Sequence, residues 1–445
     1  MGGILDAAQR LLEEYRLCDN CLGRQFATLG HGMDNAERGR SLKNTLLLEA
    51  HSMIQAEDKA GVRLLRKLAA HGMFEAAAQT LRRLGVEAGK GKKEKCQLCR
   101  GKIQEIPQLA AEIAEKAKEF EFNTFLVGAK IPAQLLEAED SVRARCGAEW
   151  GESMKSEFTR EIGKTLSKLT GKQADFANPE LVVTVSPFKN EFTLKANPLF
   201  VEGRYRKLVT GIPQSRWLCR RCGGKGCSFC GGTGKKYPES VQEILEAPIL
   251  KLTEGEGAEF HAGGREDIDA QVLGSGRPFV VEVKNPRRRF IDLERVRREV
   301  NAGGRVEVLD LKLAGKDAVR RVKAAEASPK VYRFLVESTE RLTEEDLDAV
   351  EKAFTDRVIR QLTPRRVLHR RADKERERRV YSLKAEKLSD SRFEVTLKCQ
   401  GGLYVKELVD GDEGRTTPSI AEVLGKKVKC LRLSVIDIGG EEDEV

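Results

Sequence analysis

Gly264-Arg265-Glu266-Asp267-Ile268-Asp269-Ala270, followed after a Gly turn by Pro278-Phe-Val-Val-Glu-Val-Lys284, is the stretch on which the reading of this chain turns. The second run is β-branched and aromatic, as a strand requires. If 264–270 is extended as well, side chains alternate between faces. Arg265, Asp267 and Asp269 then share one face, and Glu266 and Ile268 the other. A guanidinium two residues from a carboxylate keeps that acid ionised and aimed. Three charged groups on one face are costly to bury without partners. A polar cleft is their expected home, and this is the candidate active centre.

Basic residues gather near that centre. The 445-residue chain carries 79 Lys and Arg against 69 Asp and Glu, a net charge of +10. Between Thr363 and Val380 stand Arg365, Arg366, Arg370, Arg371, Lys374, Arg376, Arg378 and Arg379, against only Asp373, Glu375 and Glu377. Lys284, Arg287, Arg288 and Arg289 follow the candidate site directly. Basic residues beside a site point to a phosphate backbone. No apolar run approaches a membrane span, and the first residues form an amphipathic pattern (Leu5, Ala8, Leu11, Leu12, Tyr15) rather than a signal peptide. The chain is expected in the cytoplasm.

Along the chain, apolar positions recur at helical spacing through 35–55, 62–84 and 108–120. From about 120 the pattern is mixed: a strand over Thr124–Pro132, a basic amphipathic helix over Ser153–Lys168 and a strand over Pro179–Val185. Gly163-Lys164-Thr165 lacks the upstream Gly of a phosphate loop and falls within the helix, so that reading is rejected. Beyond 186, short strands and helices alternate, ending in an acidic tail from Gly439.

Eight of eleven cysteines form Cys-x-x-Cys pairs at 18/21, 96/99, 219/222 and 227/230. In a cytosolic chain such pairs point to metal thiolates, and two pairs make one tetrahedral zinc site. The simplest pairing joins Cys18 and Cys21 to Cys96 and Cys99. The group Cys219-Arg-Arg-Cys222-Gly-Gly-Lys-Gly-Cys227-Ser-Phe-Cys230 has four residues between its pairs; its glycines permit the tight path a second site would need. Free buried thiols or a redox pair are the alternatives. Cys399 and Cys430 lie in apolar strand-like runs and read as core.

The five histidines show no metalloprotease spacing, and no nucleophile elbow is present. Asp267 or Asp269 with Glu282-Val-Lys284 fits the loose pattern of a metal-dependent nuclease, in which carboxylates hold Mg²⁺ and the lysine orients water. Alternatively, Asp267 acts alone as nucleophile or base, or the chain binds RNA without chemistry.

Gly264-Arg265-Glu266-Asp267 resembles the Gly-Arg-x-Asp motif of pseudouridine synthases. The longer run with Gly276-Arg-Pro-Phe and Glu282-Val-Lys-Asn-Pro-Arg287 is similar to the archaeal-type tRNA pseudouridine synthases that act on positions 54 and 55 of the T arm. Leu17-Cys-Asp-Asn-Cys-Leu-Gly-Arg-Gln-Phe26, Gly203-Arg-Tyr-Arg-Lys207, Gly211-Ile-Pro-Gln-Ser-Arg-Trp217, Arg366-Val-Leu-His-Arg-Arg371 and Gly401-Gly-Leu-Tyr-Val-Lys-Glu-Leu408 extend the likeness over almost the whole chain.

The resemblance implies an α+β protein: an N-terminal helical segment with half a zinc site (1–56), a THUMP-like RNA-binding domain (57–185) and a mixed-sheet pseudouridine synthase catalytic domain (186–445). It implies that Asp267 is the catalytic aspartate and that Tyr332 packs on the target base. Tyr404 is a second substrate contact, and Lys406 and Leu408 supply a basic residue and an apolar wall. Arg265 is expected to keep Asp267 charged and to fill the gap left by the base. Cys18, Cys21, Cys96 and Cys99 become zinc ligands; the role of Cys219, Cys222, Cys227 and Cys230 is left unassigned. The implied substrate is tRNA, with no cofactor for catalysis, structural zinc, no membrane partner and a monomeric state.

Overall fold

The computed structural model describes residues 3–87, 95–146, 149–369 and 371–439; Arg370 and the acidic tail from 440 lie outside them. The chain divides into two compact units, Met1–Asn197 and Pro198–Val445.

In the first unit the helical spacing becomes helices at Ile4–Glu14, Asn35–Gln55, Lys59–Ala70, Glu75–Arg83 and Ile106–Ala117. Ala7, Ala8, Leu11 and Leu12 form the buried face of the first, at the three- and four-residue spacing of an amphipathic helix. Asp34 starts the longest by accepting from the Glu37 backbone N–H at 2.8 Å, while the Glu37 carboxylate accepts from the Asp34 N–H at 3.0 Å, so two orphan donors are satisfied reciprocally. The mixed section then adds strands Thr124–Ala129, Leu181–Ser186 and Glu191–Ala196. The first two are parallel, with Phe125 opposite Leu181. A parallel pair needs a crossover, here the helices Ala133–Cys146 and Met154–Thr170. Met154, Phe158, Ile162 and Leu166 bury the second helix in the core that holds Phe125, Val183 and Val185.

The second unit is built on one sheet of ten strands among the described residues. Its order is Thr416–Thr417, Arg357–Gln361, Arg376–Ser389, Arg392–Cys399, Lys330–Ser338, Val428–Ile438, Ala270–Lys284, Leu199–Lys207 and Val306–Ala314, with Gly257–Ala262 also pairing to Ala270–Lys284. All these neighbours are antiparallel except Val428–Ile438 and Ala270–Lys284, which run parallel with Leu433 opposite Ala270. Val428–Ile438 therefore joins two halves of the sheet. Helix Asp317–Ala324 covers one face of the second half, where Val322 packs with Phe200 and Val280. Helices Val241–Thr253 and Leu293–Asn301 cover the other, over Val281 and Val283. A strand covered on both faces reads as a continuous apolar run, which is why Phe279-Val-Val281 shows no alternation. Phe279 lies 5.9 Å from the rings of both Tyr205 and Phe260; truncating it to Ala should cost about 3–5 kcal/mol.

Two expectations for the central stretch are corrected. Ala270–Lys284 is one strand running through Gly274 and Gly276, not a strand after a turn. Residues 264–269 are not a strand but a loop entering it. Gly264 has φ +80°, a left-handed conformation that favours glycine, and the Ala270 N–H donates to the Asp267 carbonyl at 3.1 Å. These close the chain into a turn where an extended path was expected. Cys399 is fully buried as foreseen, whereas Cys430 is only half-buried.

Candidate active site

The loop 264–269 opens into a cleft of about 920 Å³. Asp267 and Asp269 lie on it; Tyr332 enters from strand Lys330–Ser338, Leu433 and Val435 from Val428–Ile438, and Tyr404 from the start of helix Val405–Asp410. Eight Lys or Arg side chains line it against four acids, Glu266, Asp267, Asp269 and Glu326. The cleft thus carries the basic excess noted in the sequence.

Asp267 is held by two cations. Arg366 Nη1 and Nη2 stand 3.1 and 3.0 Å from its two carboxylate oxygens, and Lys406 Nζ is 3.6 Å from Oδ2. Lys406 also donates to both oxygens of Asp269 at 2.6 Å. There burial raises the Asp269 pKa, but Lys406 more than offsets it and the net shift is downward. Arg366 is anchored from behind by the buried Glu407, with Nε to Oε1 at 2.6 Å. Burial works against the guanidinium charge, but Glu407 and Asp267 together hold its pKa above the ordinary range. This places the cations on Asp267 at Arg366 and Lys406, where Arg265 was expected; the Arg265 guanidinium lies 5.7 Å from the Trp217 ring centre.

Tyr332 is half-buried, and burial raises its phenol pKa. The Tyr404 hydroxyl accepts from Arg371 at 2.9 Å, and its backbone is fixed on both sides by the Gln361 amide. Leu408 does not reach the cleft. It is fully buried, in the core that holds Phe334, Val409 and Ile420; Leu403, Val405, Leu433 and Val435 supply apolar lining instead. Arg366 and Glu407 as a pair, and Trp217, were not singled out for the site by sequence reasoning. Arg366, Glu407 and Trp217 all fall inside quoted motifs, which was the available signal.

The nuclease constellation is not assembled. Glu282 lies 3.1 Å from His261 Nε2, Lys284 pairs with Glu259, and neither Glu282 nor Lys284 lines the cleft. They sit at the far end of strand Ala270–Lys284. Each side chain of the Glu259, His261 and Glu282 group already has a side-chain partner.

Both cysteine groups converge. In each, the four sulfur atoms lie within 4.8 Å of one another. Cys18 and Cys99 are 3.6 Å apart; in the compact group the Cys219–Cys227, Cys222–Cys230 and Cys227–Cys230 separations are 3.9, 3.9 and 3.7 Å. Tetrahedral zinc with sulfur at about 2.3 Å requires sulfurs about 3.8 Å apart, whereas a disulfide needs about 2.0 Å. Both donor sets therefore fit zinc. Cys18 is the residue preceding the short helix Asp19–Gly23, and Arg24 Nη2 approaches Cys21 Sγ at 3.5 Å while pairing with Glu139 and Glu157, an outer partner of the kind that orients thiolates. In the compact group Gly224 and Gly226 take φ of +101° and +86°, the path that lets the pairs close on each other.

The chain matches two family models: the Pus10 C-terminal region over residues 200–439 and the archaeal Pus10 THUMP domain over residues 109–186. It is 45% identical to the tRNA pseudouridine synthase Pus10 of Methanocaldococcus jannaschii, over 96% of this chain and 93% of that protein. The proteins of the same name from Methanothrix thermoacetophila and Thermofilum pendens are 44% and 43% identical, each over 98% of this chain and 95% of its own. With a family model on more than half its length and relatives matched nearly end to end, the chain belongs to the Pus10 family of tRNA pseudouridine synthases.

Proposed function

We propose that this protein isomerises uridine to pseudouridine in the T arm of tRNA, at positions 54 and 55, with Asp267 as the catalytic carboxylate. The observation that carries the reading is Asp267 itself: an acid on a basic cleft, paired with Arg366 and Lys406. The target base must leave its stack to reach it. In the pocket Asp267 promotes cleavage of the C1′–N1 bond. The uracil then turns, C5 bonds to C1′, the C5 proton is lost and N1 gains one. No redox step or metal is needed. Tyr332 offers an aromatic face to the free base, Tyr404 a second contact, and Lys406 a charge that follows Asp267 through the cycle. Arg265, already lying on Trp217, is positioned to enter the space left by the base.

The THUMP region and the arginines of the cleft hold the rest of the tRNA through backbone charge and shape. The domain division 1–56, 57–185 and 186–445 is the working description of these roles. The two cysteine groups hold structural zinc, and the protein acts as a cytoplasmic monomer; among the described residues no helix is long and apolar enough to cross a membrane. The test is to incubate the protein with unmodified tRNA transcript and map pseudouridine at nucleotide resolution. Pseudouridine at 54 and 55 is the expected result. Modification elsewhere overturns the T-arm assignment, and none at all overturns the reading.

A further inference from the structure

Apart from Trp217, the motifs Gly203–Lys207 and Gly211–Trp217 have no part in the chemistry above, yet Tyr205, Lys207 and Gln214 converge on the loop that carries Asp267. Lys207 is fully buried. Its ammonium donates to the carbonyls of Ile212, Asp267 and Ile268 at 3.1, 3.0 and 3.1 Å, so its three N–H groups are used on three carbonyls. The Asp267 carbonyl also accepts from the Ala270 N–H, and the Ile268 carbonyl from the Gly211 N–H at 2.9 Å. Both carbonyls therefore have two donors. One residue back, Glu266 is turned into the protein. It pairs with the buried Arg277 at 2.8 Å and accepts from the Tyr205 hydroxyl at 3.0 Å. Gln214 donates to the Tyr205 oxygen and to the Gly264 carbonyl, both at 3.0 Å, and Arg277 donates to the Gly263 carbonyl at 2.6 Å.

A buried ammonium bound to carbonyls is an expensive way to fill space, because an apolar side chain avoids the desolvation penalty of several kcal/mol. What the charge does here, and a methylene could not, is fix three carbonyls of irregular backbone. The loop 264–269 has no sheet ladder of its own to set its backbone angles. From this geometry we infer that Lys207 and the Glu266–Tyr205–Gln214–Arg277 network are positioning residues: they fix the backbone from which the Asp267 carboxylate projects. Glu266 and Gln214 border the cleft, Lys207, Tyr205 and Arg277 do not line it, and the network acts through the loop. A displacement of about 1 Å at a reacting group can cost on the order of a hundredfold in rate, so the network should control the chemical step and leave RNA affinity alone.

The inference rests on Asp267 being the catalytic group, and the experiment separates the two. Single-turnover pseudouridine formation and tRNA affinity are measured on the full chain for Lys207→Met, Tyr205→Phe, Asp267→Asn and Val296→Ala. Val296 is buried in helix Leu293–Asn301 and does not line the cleft, and it serves as a control for lost stability alone. Lys207→Met should slow the single-turnover rate by about a hundredfold and Tyr205→Phe by about tenfold, with tRNA affinity within about twofold of wild type. Val296→Ala should keep its rate at temperatures where it remains folded. If Asp267→Asn retains activity, the catalytic reading fails. If Asp267→Asn is inactive while Lys207→Met and Tyr205→Phe keep wild-type rates, or lose rate only in step with melting as the control does, the positioning role fails. Should Lys207→Met not fold, Tyr205→Phe, which removes one hydroxyl, decides.

Discussion

Asp267 shares Lys406 with Asp269 and Arg366 with Glu407, so its position is set by a small network and not by one neighbour. Asp267→Asn removes the carboxylate but keeps a group of the same shape, and should abolish pseudouridine formation, a loss on the order of 10⁴-fold or more, with tRNA affinity nearly intact. Asp269→Asn should be milder, since Asp269 reaches Asp267 only through Lys406. Near-normal turnover by the Asp267 variant would pass the role to Asp269. Lys330, also on the cleft, gives a pH signature. Burial first, and the Arg277 charge second, lower its pKa to about 8. Between about pH 8 and pH 10.4 the unfolded chain keeps a proton that the folded protein has released, so stability rises with pH across that window. Raising pH from 8 to 10 should therefore stabilise wild type relative to Lys330→Met by about 2 kcal/mol. Denaturant midpoints at the two pH values check this, and a constant difference would remove the buried charge from the account.

At the scale of elements, the basic segment 365–379 divides into two kinds of arginine. Arg371, Arg376 and Arg378 line the cleft, whereas Arg379 is paired with Asp356 at 2.5 Å and does not line it. Removing one cation that neutralises a phosphate should reduce the log–log salt slope of tRNA binding by about one. Arg371→Glu with Arg378→Glu should therefore flatten the slope by about two, and Arg379→Glu should leave it nearly unchanged. Equal effects from both would mean that the segment acts only as a diffuse charged face. This division could not be read from sequence. The run of charges was visible, but its pairing depends on partners tens of residues away. The helices Asn35–Gln55 and Met154–Thr170 were legible, the second read as 153–168, because their signal is local and periodic. The loop 264–269 was misread as a strand because Arg265, Asp267 and Asp269 at alternate positions fit a turn that buries Glu266 as well as they fit a strand. Glu407 on Arg366, forty-one residues apart, left no periodic trace.

For the whole molecule, the two cysteine groups both fit zinc, and the prediction is two zinc ions per chain by elemental analysis of protein prepared without chelator. A Cys227→Ser/Cys230→Ser variant should fall to one. Cys18→Ser or Cys99→Ser should unfold the unit Met1–Asn197, because the ligands come from distant segments and metal binding there is coupled to folding. The unit Pro198–Val445 should keep slow activity, since it holds the cleft. A wild-type protein without zinc would leave all eight as reduced thiols. The strand Val428–Ile438 bears on how the protein is made. It is the last strand of its sheet in sequence yet sits between Lys330–Ser338 and Ala270–Lys284, with Leu433 and Val435 on the cleft. On the ribosome, the two half-sheets emerge long before the strand that unites them. A nascent chain halted before residue 428 holds every catalytic side chain named here but presents two unpaired inner edges, open to chaperones or to other chains. Both inner edges, and the Leu433 and Val435 part of the cleft wall, therefore wait for residues 428–438.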